Sequence, residues 1–290
     1  MANITASDVM KLRQMTGVSM MECKKALIKT DGDYDAAVKL LRELGAAVSA
    51  KRAEKAAKEG LVFAKKCPCG SKIAIVEVNC ETDFVGNSAD FKAFVDKVAD
   101  AALDGETDLE GKLAEDKKAL IAKVGEKVEI RRGDKLELSG PGVLASYIHL
   151  GGKSGVIVEV GAEKPETLEA PEFQQLVKDL TLQIVASAPR WLDRTQVPAD
   201  VIEAEKEVNK KKLENEQAEK GGKPKPPEIL EKIAMGQIGK FFGENCLVEQ
   251  AFVKNAPGVK DTVQKVVDGV AKKLGDKIVV RRYVRYQLGA

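Results

Sequence analysis

Apolar positions along this chain follow two rhythms, and the changes of rhythm mark out its parts. Near the N-terminus the spacing is helical. Val9, Leu12 and Met15 fall on one stripe of a helix that starts at a Thr5 or Ser7 cap and stops at Gly17. Ser19 followed by Glu22 has the spacing of a capping box and opens a second helix, which Asp31-Gly32 breaks. Tyr34, Ala37, Val38 and Leu41 predict a third, ended by Gly45. Residues 1–50 therefore read as a small three-helix module, with a basic, alanine-rich link over 51–59. Beyond the link, Ile73-Ala74-Ile75-Val76-Glu77-Val78 predicts a strand, and Phe91, Phe94, Val95, Val98 and Ala102 return to helical spacing.

This second pattern occurs twice. Ile-Val-Glu-Val stands at 75–78 and again at 157–160, an offset of 82 residues (157 − 75). The same offset carries Gly60 to Gly142, Glu81 to Glu163, Phe91 to Phe173, Phe94 to Leu176, Val95 to Val177 and Val98 to Leu180. GEKVEIRR at 125–132 is matched by GDKIVVRR at 275–282, now at an offset of 150, so the second copy holds 68 extra residues (150 − 82). Each copy reads strand, strand, helix, helix, strand. Without a steady βαβ rhythm the expected class is α+β: a two-copy core over 60–140 and 141–290, each half a small antiparallel sheet with packed helices.

Much of the extra length lies at about 197–242. ADVIEAEKEVNKKKLENEQAEK is helical in composition with a thin apolar stripe (Val201, Ala204, Val208), GGKPKPP interrupts it, and Ile229, Ile233 and Phe241 resume. Two charged helices around a Gly/Pro tip predict a helical hairpin inserted in the second copy.

Composition narrows the chemistry. The 47 basic and 45 acidic residues nearly cancel, so no global field pulls the chain toward nucleic acid or membrane. No run of about 18 apolar residues occurs and the N-terminus lacks a signal peptide's apolar core, which makes the cytoplasm the expected location. Five scattered cysteines, an odd number, argue against a disulfide framework and for reduced thiols. In the Cys67-Pro68-Cys69-Gly70 stretch a metal would need Cys80 and a further ligand, whereas turn chemistry accounts for Pro68 and Gly70 without one. Leu150-Gly151-Gly152-Lys153-Ser154-Gly155 has Tyr147 where a phosphate loop needs its first glycine and leads into a strand, so a hairpin turn is expected. The single histidine, His149, reads as a polar strand end with no catalytic constellation around it. Arg131-Arg132 and Arg281-Arg282 occupy equivalent repeat positions and read as solvated strand ends, and aromatics at 4% do not favour base stacking. Met20 and Met21 are adjacent at a helix start, where neighbouring side chains diverge by about 100°, so one is expected to face solvent.

Phe84 stands apart. In Asn79-Cys80-Glu81-Thr82-Asp83-Phe84-Val85-Gly86-Asn87 an aromatic and a valine, Phe84 and Val85, sit in what the pattern makes a polar connection between strand and helix. A staple under the next helix is the ordinary explanation. The second copy tests it: at the 82-residue offset Asp83, Phe84 and Val85 become Pro165, Glu166 and Thr167. The architecture does not require Phe84, and an aromatic presented on a loop is a wedge for a partner.

At these residues the sequence resembles the translation elongation factor Ts family. SMMECKKAL, VEVNCETDFV, IRR, SYIHLGGKSGVIV and GKFFGENCLVEQAFV carry the resemblance, which runs over essentially the whole chain. It implies a UBA-like N-terminal module and a protein that binds the GTPase elongation factor Tu and speeds release of its GDP. It also implies that Thr82, Asp83, Phe84 and Val85 dislocate the Mg²⁺ of the nucleotide held by the partner. Arg13, Met20, Met21 and Lys24 in the first module, and His149 in the core, match partner contacts. No catalytic residue, bound metal, cofactor or direct nucleotide binding is expected of the chain itself, and a dimer of heterodimers is compatible with the resemblance. Some members carry a further C-terminal helical module; this chain ends at RRYVRYQLGA, so that contact is expected to be absent. Two other readings compete: an RNA-associated module using the basic link and the hairpin, and an enzyme using Cys80 or His149.

Overall fold

The computed structural model describes residues 4–16, 18–41, 57–219 and 227–290. The predicted stops at Gly17 and Gly45, most of the basic link and the Gly/Pro tip of the hairpin lie outside these. The N-terminal helices are α1 (Ala6–Thr16), α2 (Met20–Lys29) and α3 (34–41). Thr5 caps α1: its amide donates to Asp8 Oδ2 at 2.9 Å, and the Asp8 amide donates to Thr5 Oγ1 at 3.3 Å. Ser19 accepts the Glu22 amide at 3.4 Å, as the capping spacing requires. Val9, Leu12, Cys23, Ala26, Leu27, Ala37 and Leu41 form the core of these helices. Met15 is 58% exposed instead of joining them. The buried face continues from Leu12 to half-buried Thr16, four residues on, and position 15 falls beside it.

The chain divides into two compact units. The first holds residues 1–137, 148–157 and 286–290; the second holds 138–147 and 158–285. In the first, β1 (Glu59–Lys66), β2 (Lys72–Cys80) and β3 (Val128–Glu137) form an antiparallel sheet with β2 central. Between β2 and β3 lie α4 (Asp83–Asn87), α5 (Ala89–Asp104), α6 (Leu109–Lys112) and α7 (Ala114–Val124). All five residues that set the helical rhythm of α5 are buried, packed with Ala74, Val76, Val78 and Cys80 of one β2 face. Each large apolar side chain buried this way contributes about 1.5–3 kcal/mol.

The repeat in the sequence is a repeat in the fold. β4 (Gly142–His149), β5 (Ser154–Ala162) and β6 (Ile278–Gln287) form the second sheet, with β5 central. β5 is β2 displaced by 82 residues, α8 (Pro165–Glu169) is α4 displaced by 82, and β6 is β3 displaced by 150. α9 (Pro171–Ser187) and α12 (Val263–Leu274) answer α5 and α7. Gly60 shows why the equivalence extends to a glycine: a Cβ there would stand 2.1 Å from the Val78 carbonyl oxygen, and one on Gly142 would stand 2.6 Å from that of Val160.

The arginine pairs are more than solvated strand ends: Arg131 and Arg282 are exposed, yet each pair reaches a buried carboxylate. Glu77 of β2 is fully buried, and Arg132 Nε donates to its Oε2 at 2.7 Å while Gly289 N donates to its Oε1 at 2.8 Å. In the second copy Glu159 is equally buried and takes Arg281 at 2.9 Å and Arg282 at 2.7 Å. A carboxylate on a central strand needs charged partners, and the edge strand supplies them twice.

Cys67 and Cys69 form a disulfide, against the expectation of thiols throughout; Cys23, Cys80 and Cys246 are free and buried. The tight turn brings the two Cα atoms to 5.4 Å, within disulfide reach. Leu150–Lys153 is the hairpin turn, with Gly151 and Gly152 at positive φ, and Ser154 and Gly155 open β5. α10 (Ala199–Glu219) and α11 (Pro227–Asn245) are the helices of the inserted hairpin and pack on one another. Of the expected stripe Ala204 and Val208 are exposed, while half-buried Val201 packs, together with Ile202, against Val197, Ile238, Phe242 and Cys246 at the base of the pair.

Candidate functional site

The connection holding Phe84 is helical rather than an open loop. Thr82, extended at φ −126° and ψ 155°, caps α4 by accepting the Val85 amide at 3.4 Å. Asn87 Nδ2 donates to the Asp83 carbonyl at 2.9 Å, and Ser88 Oγ donates to the Val85 carbonyl at 2.7 Å before capping α5. These local bonds make a five-residue helix that meets the long α5 at a corner, where the pattern of apolar residues shows only a gap.

A carboxylate from far along the chain pins the start of α4. Thr82 N donates to Glu126 Oε2 at 3.0 Å, and Thr82 Oγ1 donates to Glu126 Oε1 at 2.7 Å. The neighbouring Lys127 amide donates to Glu81 Oε1 at 2.7 Å, a reciprocal tie between the two segments. From below, Cys80 Sγ donates to the Thr82 carbonyl at 3.1 Å. Burial pushes the Cys80 thiol up to about 12, and the carboxylates of Glu126 and Glu59 add to it. It is a neutral packing group under α4, which removes it as a nucleophile at neutral pH.

On this pinned helix Phe84 is 85% exposed, the most exposed of the large apolar residues described. Val85 turns inward against the core, as its counterpart Thr167 does in the second copy, so only one of the two unexpected apolar residues faces out. Asp83 is exposed beside Phe84. A groove of about 300 Å³ runs past α4, lined by Glu59, Gly60, Asp83, Asn87, Leu150 and Lys153, with Glu59 and Lys153 paired across it. Leu150, 72% exposed at a left-handed φ of 48°, gives the groove an apolar flank. His149, half-buried at the end of β4, accepts the Gly152 and Lys153 amides on its carbonyl at 3.2 and 3.1 Å and so shapes this turn.

The structure thus brings Thr82–Val85 and His149 into one compact unit, where Asp83 lines the groove and His149 immediately precedes its lining residue Leu150. Arg13, Met20, Met21 and Lys24 lie on α1 and α2. Arg13 and Lys24 are exposed there, Met21 is 64% exposed, and Met20 packs against the helical core, as adjacency on a helix dictates. Sequence reasoning missed Glu126 and Leu150. The repeat held a signal for the first: Glu126 becomes Asp276 at the 150-residue offset, so both copies keep an acid there. Leu150 had none, because a glycine-rich turn does not reveal which way its one large residue points. Among the described residues no group of three or more His, Cys, Asp or Glu is placed to hold a metal ion, and no helix is long and apolar enough to cross a membrane.

Comparison with known proteins gives one family. A sequence profile described as Elongation factor TS matches residues 81–290. Among curated relatives, elongation factor Ts of Symbiobacterium thermophilum is 42% identical, over 100% of this chain and 93% of its own length. Elongation factor Ts of Nitratiruptor sp. is 40% identical, over 99% of this chain and 93% of its own. That of Prosthecochloris aestuarii is 39% identical over the full length of both.

Proposed function

The chain belongs to the elongation factor Ts family of translation elongation factors, and on that premise we propose that it is the guanine nucleotide exchange factor of the GTPase elongation factor Tu. It acts in the cytoplasm, by binding and without covalent chemistry. The observation that carries the reading is Phe84, 85% exposed on a helix fixed by Glu126 and Cys80, in a fold whose second copy presents Glu166 at the same place.

A GTPase holds GDP partly through Mg²⁺, which neutralises phosphate charge. A protein that prefers the metal-free, nucleotide-free form must weaken nucleotide binding, and nucleotide must weaken its binding by the same factor. Thr82, Asp83, Phe84 and Val85 form the element that disturbs the partner's Mg²⁺ site. Phe84 supplies the apolar wedge, worth about 1.5–3 kcal/mol if buried in the complex. Asp83 is the adjacent charge, and Thr82 and Val85 fix the helix. The N-terminal three-helix module, UBA-like over 1–50, docks through Arg13, Met20, Met21 and Lys24. His149 and its turn form the further core contact. Docking at several points presents the wedge at high effective concentration.

The test is release of a fluorescent GDP analogue from elongation factor Tu with this chain at a small fraction of the GTPase. Acceleration with many turnovers per molecule is expected. Complex formation without acceleration would overturn the assignment.

A further inference from the structure

We propose that the Cys67-Pro68-Cys69 turn is a thiol–disulfide exchange site whose substrate is a small-molecule or peptide disulfide. It joins β1 to β2, at the opposite end of the nine-residue β2 from Cys80 and α4. At about 3.3 Å per residue the two ends are on the order of 25 Å apart. The site is therefore separate from the partner-binding groove.

The turn is built for the chemistry. Cys69 is exposed and Cys67 half-buried behind it, so one sulfur meets solvent first and the other waits within reach. The Lys72 amide donates to Cys67 Sγ at 3.2 Å, and Ser71 Oγ lies 3.1 Å from Cys69 Sγ, giving each sulfur a polar neighbour that supports its thiolate. Lys66 extends over the same turn, its ammonium 4.0 Å from where a Cβ on Gly70 would stand, and adds positive charge. The Gly70 amide on the Cys67 carbonyl at 2.9 Å and the Cys67 amide on the Lys72 carbonyl at 3.0 Å hold the turn without help from the sulfurs. A bond across a single intervening residue closes a very short loop, so the fold depends little on it and the pair is free to cycle. The remaining cysteines do not compete: all three are buried, and burial pushes Cys80 up to about 12 and Cys246 up to about 11.

In the oxidising direction the Cys69 thiolate attacks one sulfur of an external disulfide, forming a mixed disulfide and releasing one thiolate, which takes a proton from water. The Cys67 thiolate then attacks the Cys69 sulfur, closing the internal bond and releasing the second. The protein dithiol loses two electrons, and the external disulfide gains them as two thiols.

The experiment uses the full chain, reduced, desalted and equilibrated without air against mixtures of reduced and oxidised glutathione. The products are acid-quenched, alkylated and counted by mass. Cys67 and Cys69 are expected to disappear together in one two-electron transition, with Cys23, Cys80 and Cys246 alkylated only after unfolding. Cys67→Ser is expected to trap glutathione on Cys69, and Cys69→Ser to react with oxidised glutathione roughly 10-fold more slowly. Both thiols remaining alkylatable in fully oxidised glutathione would overturn the proposal, as would glutathione on both with no internal bond. The titration of the unsubstituted chain decides this even if a variant misfolds.

Discussion

The short helix after the central strand is built twice, and the two versions differ in what they present. α4 and α8 each span five residues and follow β2 and β5 at equivalent positions. Each is tied at its start to the acid before the last strand: Thr82 N donates to Glu126 at 3.0 Å, and Lys164 N to Asp276 at 3.0 Å. Their outward residues do not match, since Phe84 stands where the second copy has exposed Glu166. The scaffold that aims the residue belongs to the repeat, whereas the residue aimed belongs to one copy. What is common to both copies answers to folding, and what is particular to α4 is what the proposed exchange function draws on.

Substitutions made in pairs can break that separation. Phe84→Ala removes the wedge and leaves the scaffold, so GDP release from elongation factor Tu is expected to slow ~10- to 100-fold, from a burial of about 1.5–3 kcal/mol. Docking, measured by titration calorimetry with nucleotide-free partner, is expected to keep most of its affinity. Glu166→Ala in the second copy should leave exchange within about twofold, given the usual size of surface substitutions. Equal losses from both would show that the copies are not specialised.

Glu126→Ala tests whether the aiming matters. It removes two charge-assisted bonds to Thr82, and exchange is expected to fall by about 10-fold with Phe84 intact. Asp276→Ala removes the matching tie in the second copy and should lower the thermal midpoint without a comparable loss of exchange. If the two variants reduce exchange alike, the tie serves folding alone.

Acid offers a third comparison. Burial would raise Glu159, but hydrogen bonds from Ser139, Arg281 and Arg282 outweigh it and hold the carboxyl at about 2. A carboxyl held below its ordinary 4.5 stabilises the folded state above that value, and the contribution fades as pH falls through about 2. The urea midpoint is therefore expected to drop between pH 5 and pH 2.5, and Glu159→Gln should flatten that part of the drop while weakening the fold at pH 6. An unchanged acid slope would assign the loss to other carboxylates. Among the substitutions expected to weaken function, the smallest effect belongs to Leu150→Ala. Truncating one exposed flank of the groove is expected to weaken the complex by about 3-fold, read as a faster dissociation rate.

By itself the sequence determined the α+β class, the equivalence of the two copies, the inserted helix pair and the oddity of Phe84. All of these rest on patterns that repeat along the chain: apolar spacing reports the local backbone, and an internal copy supplies its own control. The tertiary structure decided what depends on residues distant in sequence. Glu77 and Glu159 read as strand positions until the arginines of the edge strands turned out to meet them inside the sheet. The stretch around Phe84 read as a loop because its helix is set by side-chain caps and by Glu126, 44 residues beyond Thr82, and not by apolar periodicity. Phe84 and Val85 read alike as apolar residues in a polar connection, but Val85 faces the core and Phe84 solvent, since adjacent residues on a helix point about 100° apart. Spacing along a chain fixes which residues share a face; only the fold fixes what that face meets.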